Sequence, residues 1–113
     1  MSQHSLNASL CLVSELAHAR AGDKGNTLNV AVFAYDEANY GHLVAHLTEQ
    51  AIAERFAHRT PSKVTRYLLP NLAGMNFVIE ETLEGGVNAS ASLDRHGKSL
   101  SFLLLGMEIP QPV

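Results

Sequence analysis

Residues 17–29 gather His18, Arg20, Asp23, Lys24, Asn26 and Asn29 outside any apolar run, so this is where side chains could do chemistry together. The planar guanidinium of Arg20 can grip a carboxylate or phosphate through two parallel bonds, and the Lys24 ammonium adds a movable charge. Gly22 and Gly25 free the backbone to take positive φ, so that consecutive N–H groups can turn inward as a nest for an anion. The expected ligand-binding set is therefore Arg20, Gly22, Asp23, Lys24, Gly25 and Asn26, with Asp23 and Asn26 holding the shape. His18 leads into the stretch, and imidazole is the side chain that exchanges protons near neutral pH, so His18 and Asp23 are the candidate acid–base groups of an alternative, catalytic reading. In the purely structural alternative, Asp23 pairs with Arg20 or Lys24 and pins a hairpin. The stretch is not a phosphate-binding P-loop, because that pattern needs Gly-Lys followed by Ser or Thr and here Lys24 precedes Gly25.

Other candidates are weaker. His42 and His46 are four apart, a spacing that can place two imidazoles on a metal, with Glu49 or Gln50 one turn on. The remaining ligands of a zinc motif are missing, so solvent-facing or interface histidines are expected, with no metal and no cofactor. His58 beside Arg59 suits the negative end of a helix. Cys11 is the single cysteine, which excludes an internal disulfide and the thiolate set of an iron–sulfur cluster; within an apolar strand it reads as a small buried hydrophobe. Ser90 and Ser92 have no arguable base. An amide at Asn76, between Met75 and Phe77, must bond to backbone or line a pocket, because burying it unpaired is costly.

These residues need elements to position them. Apolar β-like runs at 10–16 and 28–35 flank the polar stretch, which would then be a hairpin connection longer than the usual span of about 2–5 residues. Asp36 can cap a helix over 37–47 and Thr48 a second over 49–59, with a break near Thr48 and one apolar stripe of Leu43, Leu47, Ile52 and Phe56. Pro61 ends the helix, 63–69 reads as a strand, and Pro70 stops it. Segment 72–84 is expected to be helical from Leu72, Met75, Ile79 and Leu83, with Asn71 as cap and Gly85-Gly86 as stop, although 77–82 also suits a strand. Runs 87–93 and 99–109, joined by a turn at 94–97, read as a closing hairpin, with a short helix at 100–105 as the alternative. Residues 1–9 and 110–113 are expected to be flexible tails on a single domain spanning 1–113.

The pattern is that of an α+β two-layer sandwich, a mostly antiparallel sheet of roughly five strands with helices on one face. At 113 residues and 46% hydrophobic content the chain can bury one core. A net charge of −3 without a basic cluster argues against nucleic acid as a partner. No stretch suits a signal peptide or a membrane span, so a cytoplasmic protein without membrane association is expected. The surplus of Leu, Val and Phe predicts a second covered sheet face, through self-association as a dimer or another protein.

Residues 16–26 (Leu-Ala-His-Ala-Arg-Ala-Gly-Asp-Lys-Gly-Asn), Tyr67-Leu-Leu-Pro-Asn71, Met75-Asn-Phe77, Gly85-Gly-Val87, Leu93-Asp94, Gly97-Lys98, Leu104-Leu105 and Glu108-Ile109 resemble, in order, the C-terminal domain of the AtuA family, named for acyclic terpene utilization. The resemblance implies a ferredoxin-like fold, a term of topology. It also implies a setting in the breakdown of terpenoid or branched acyl-CoA compounds, beside a larger AtuA-type partner domain. One departure stands out: a basic residue is expected before Ser90, and this chain has Ala89. The preferred expectation is an accessory or ligand-binding domain that takes an anionic group at 18–29. The alternative is a small enzyme acting on acyl-CoA or hydroxy-acid substrates.

Overall fold

A computed structural model describes residues 10–25, 27–59, 61–81 and 97–112, with side chains for all of these except 23, 24, 59, 81 and 97–99. In order, the chain forms β1 (Leu10–Leu12), β2 (Ala17–Lys24), β3 (Thr27–Ala34), α1 (Tyr40–His46), α2 (Glu49–Arg55), β4 (Pro61–Leu69), β5 (Gly74–Glu81), α3 (Gly97–Leu105) and β6 (Glu108–Pro110). Strands β2 to β5 make a four-stranded sheet in the order β2-β3-β5-β4, and β1 and β6 pair separately.

The register follows from period-two alternation. Leu28, Val30 and Val32 of β3 stand opposite Ile79, Phe77 and Met75 of β5, and all six are buried. Both β3 and β4 run antiparallel to β5, which lies between them, so β3 and β4 are parallel and α1–α2 is the crossover joining them. That split β-α-β arrangement, extended by β2 on the far side of β3, is an α+β fold of the kind the resemblance implies.

Polar ends hold the helical layer in place. The Asp36 carboxylate accepts from the Ala38 N–H at 2.9 Å, and the Thr48 hydroxyl accepts from the Ala51 N–H at 3.1 Å, so both expected caps are present. Leu43, Leu47, Ile52 and Phe56 are fully buried, as their spacing predicts. Arg66 ties the break between α1 and α2 to β4: its Nη1 donates to the carbonyls of Val44 at 2.7 Å and Leu47 at 2.8 Å. Its own backbone N–H donates to Glu49 Oε2 at 2.8 Å. At the other end of the layer, Tyr40 Oη donates to the Gly74 carbonyl at 2.8 Å. Helix α3 packs on β2, and its Leu100 and Leu104 join the same core cluster.

Several sequence expectations are corrected. The polar stretch is not a long loop. It is strand β2, paired residue for residue with β3 from Ala17↔Ala34 to Lys24↔Thr27, and the connection is a two-residue turn. Alanines at 17, 19 and 21 form the inward face, small enough for α3 to pack on the strand directly and too weakly apolar to advertise it. Strand β1 stops at Leu12, gives way to a 3₁₀ turn over Val13–Glu15, and pairs with β6 instead of β3. Segment 74–81 is a strand and not a helix: its odd residues face the core, and partners on both sides supply its hydrogen bonds. Segment 97–105 is a helix where a strand was the first expectation. Its end is closed by the Gly106 N–H donating to the Phe102 carbonyl at 2.9 Å. Pro110 is paired with Leu10, so the tail begins later than expected. The expected strand 87–93, the turn 94–97 up to residue 96, the arm 1–9 and Ala89 lie outside the described residues. Among those described, no helix is long and apolar enough to cross a membrane.

Candidate binding face

The helices cover one side of the four-stranded sheet, and the other side carries exposed polar and aromatic groups. Register places them in rows across β2, β3, β5 and β4. One row is His18, Phe33, Gly74 and Leu69; the next is Arg20, Ala31, Asn76 and Tyr67; the third is Gly22, Asn29, Val78 and Thr65. Adjacent rows lie about 7 Å apart along the strands.

Small residues shape this surface. A Cβ built on Gly74 would sit 2.5 Å from Phe33 Cδ1 and 2.8 Å from Phe33 Cε1, so the Phe33 ring fills the space of the missing side chain and lies down on the sheet. Beside it, His18 stacks on Phe33 at a centroid distance of 5.5 Å and an interplanar angle of 30°. The Tyr35 ring, 66% exposed, is also 5.5 Å from His18. In the next row Ala31 offers only a methyl group between Arg20 and Asn76. Arg20 is exposed and has no hydrogen bond or ion pair with any described residue, and the half-buried Asn76 side chain has no partner among them either.

The sequence-predicted site residues are spread along a strand instead of gathered in a loop. His18 and Arg20 share the open face. His18 is paired with Phe33 and Asp23 with Leu28, five residues along one strand, about 16 Å apart at the backbone. Gly22 lies in the ladder opposite Asn29, while Gly25 has φ 63°, the left-handed conformation that a two-residue hairpin turn asks of its first residue. The side chains of Asp23 and Lys24, and Asn26 altogether, lie outside the described residues.

Elsewhere, the His42 and His46 rings are 4.5 Å apart, and His42 Nε2 is bonded to the Pro110 carbonyl, which ties α1 to β6. His58 stacks near Phe56 in the 3₁₀ turn Ala57–Arg59. Cys11 is buried, and burial, with the Glu15 carboxylate adding to it, pushes its thiol above the ordinary range. The backbone bond that the sequence favours for Asn76 is not made to any described residue. The contribution of Phe33 and Tyr67 was not anticipated; the signal for it is alternation, since Asn29, Ala31 and Phe33 interleave with buried Leu28, Val30 and Val32.

Comparison with known proteins fits this architecture. No curated protein and no solved structure matches the chain. The family model described as the AtuA ferredoxin-like domain matches residues 11–110 of the 113, and the chain belongs to that family.

Proposed function

We propose that this protein is an accessory binding domain that holds an anionic group at Arg20 on the open face of its sheet and works with a larger partner. The supporting observation is an exposed guanidinium without a partner among the described residues, beside the small residues Ala31 and Gly22 that let a ligand come close. A carboxylate or phosphate there would accept two parallel bonds from Arg20, with Lys24, four residues along β2, as a secondary charge. The catalytic alternative needs His18 and Asp23 to act on one substrate, and their separation along β2 gives it no support.

The family resemblance supports, as part of this proposal, a setting in the breakdown of terpenoid or branched acyl-CoA compounds. Exposed Tyr67 and Leu68 on edge strand β4, with Leu72 just beyond it, suit burial against the larger partner or a second copy.

Calorimetric titration with acetate, inorganic phosphate and an acyl-CoA tests the reading, paired with thermal melts. Arg20→Met should weaken binding by about 1.5–3 kcal/mol, the worth of a hydrogen bond to a charged group, without lowering the melting temperature. Lys24→Met should weaken it less. Equal affinities in wild type and Arg20→Met, or no binding of any of these anions, would overturn the assignment.

A further inference from the structure

We propose that the ligand of this face is a small planar ring bearing an anionic group, lying over Ala31 with its ring against Phe33 and His18 and its edge read by Asn76. This rests on the assignment of the anion to Arg20 and adds the rest of the molecule. Three observations carry it.

The first is the ring platform. Phe33 fills the space left by the absent side chain at Gly74, His18 stacks beside it at 30° and 5.5 Å, and exposed Tyr35 lies beyond, so three rings cluster at one end of the open face. The exposed rings of the cluster, His18 and Tyr35, can take another flat ring through offset stacking. The second is spacing. Arg20 lies one row from His18, about 7 Å along the strand, so a ring on the platform places a carboxylate or phosphate one substituent away at the guanidinium. The third is Asn76. Its amide is half-buried, has no partner among the described residues and stands across Ala31 from Arg20, offering both a donor and an acceptor to the edge of a heterocycle. A plain fatty acyl chain would leave that amide unpaired. A nucleic-acid strand would need a row of cations to match successive phosphates, and the chain carries a net charge of −3.

Aromatic carboxylates and nucleoside monophosphates share this chemistry, and paired probes separate them. The full chain is titrated with acetate against benzoate and nicotinate, and with ribose 5-phosphate against adenosine monophosphate. In at least one series the ring should improve affinity about tenfold, the scale of a stacked base. Phe33→Leu should remove that advantage while leaving acetate and ribose 5-phosphate unchanged. Asn76→Leu should weaken nicotinate or adenosine monophosphate about fivefold and spare benzoate, as loss of one hydrogen bond at an edge would.

If ringless and ringed anions bind alike and only Arg20→Met matters, the ring proposal fails while the anion assignment stands. If Arg20→Met leaves ring binding intact, the anion assignment fails instead. A single-stranded oligonucleotide binding more tightly than adenosine monophosphate would overturn the small-ligand proposal in favour of a polymer. Melting curves accompany each variant, so that a folding defect is seen as such.

Discussion

The two faces of the four-stranded sheet are built from the same strands, and consecutive residues meet opposite environments. Val32 is fully buried against Met75, while Phe33, the next residue, lies half-exposed across Gly74. On the helix side the inward residues are large and apolar on the central strands and alanine on β2, where a helix must come close. On the open side Ala31 and Gly74 are small, and the functional groups stand around them. The difference teaches that one face is selected for volume and the other for access, so substitutions on adjacent residues should have unlike consequences.

The largest contrast is expected at neighbouring positions of β5. Phe77→Ala should cost about 3–5 kcal/mol in denaturant unfolding and Leu104→Ala about 2–5 kcal/mol, both being fully buried large side chains. Asn76→Leu, one residue away from Phe77, should leave stability within about 0.5 kcal/mol. A comparable loss at Asn76 would mean that the open face is a second core. Next in size is Arg66→Met, which removes two bonds to the carbonyls of Val44 and Leu47 and should cost about 1.5–3 kcal/mol. Arg66 is a charged group that serves the covered face, so a negligible loss there would show that the helix break is held by Thr48, Glu49 and apolar packing.

Gly74→Ala probes the boundary between the faces. The new methyl would lie 2.5 Å from Phe33 Cδ1 and 2.8 Å from the Val32 carbonyl oxygen, and overpacking of this kind should cost about 1–3 kcal/mol. Adding Phe33→Ala should recover only part of that, because the backbone contact remains; full recovery would place the strain in the ring alone. A smaller effect concerns Cys11. Its thiol is held above the ordinary value by burial and by Glu15, so above the ordinary thiol range the unfolded chain releases a proton that the folded chain keeps. Stability should therefore fall as pH rises from there toward the folded value, and Cys11→Ser should flatten that part of a urea-melt series.

Much of the covered face was legible in the sequence. The stripe Leu43, Leu47, Ile52 and Phe56, both caps and the strand before Pro70 follow from local spacing and chemistry. What misled was weak or coincident periodicity. Alanine at alternate positions of β2 barely registers as apolar, so the strand read as a loop full of ligand groups. Leu72, Met75 and Ile79 fit a helical turn, while Met75, Phe77 and Ile79 fit a strand equally, and only pairing with β3 and β4 decides between them. The candidate site was half legible: His18 and Arg20 stand out by type, but Phe33, Gly74 and Asn76 reach them from other strands, and that proximity depends on the order β2-β3-β5-β4.

The carboxylate of Glu49 on the Arg66 N–H has a bearing on assembly. Among the described residues strand β4 is the outer strand on its side, and that N–H is one of the groups an incoming strand would use. Endless lateral growth requires every molecule to be adhesive at both margins, and here one margin is stoppered by a side chain from α2. Whatever joins at β2, strand-to-strand addition ends at a closed pair, which gives this small domain a built-in guard against fibre formation. Removing the stopper in Glu49→Ala would turn a chain terminator into a link.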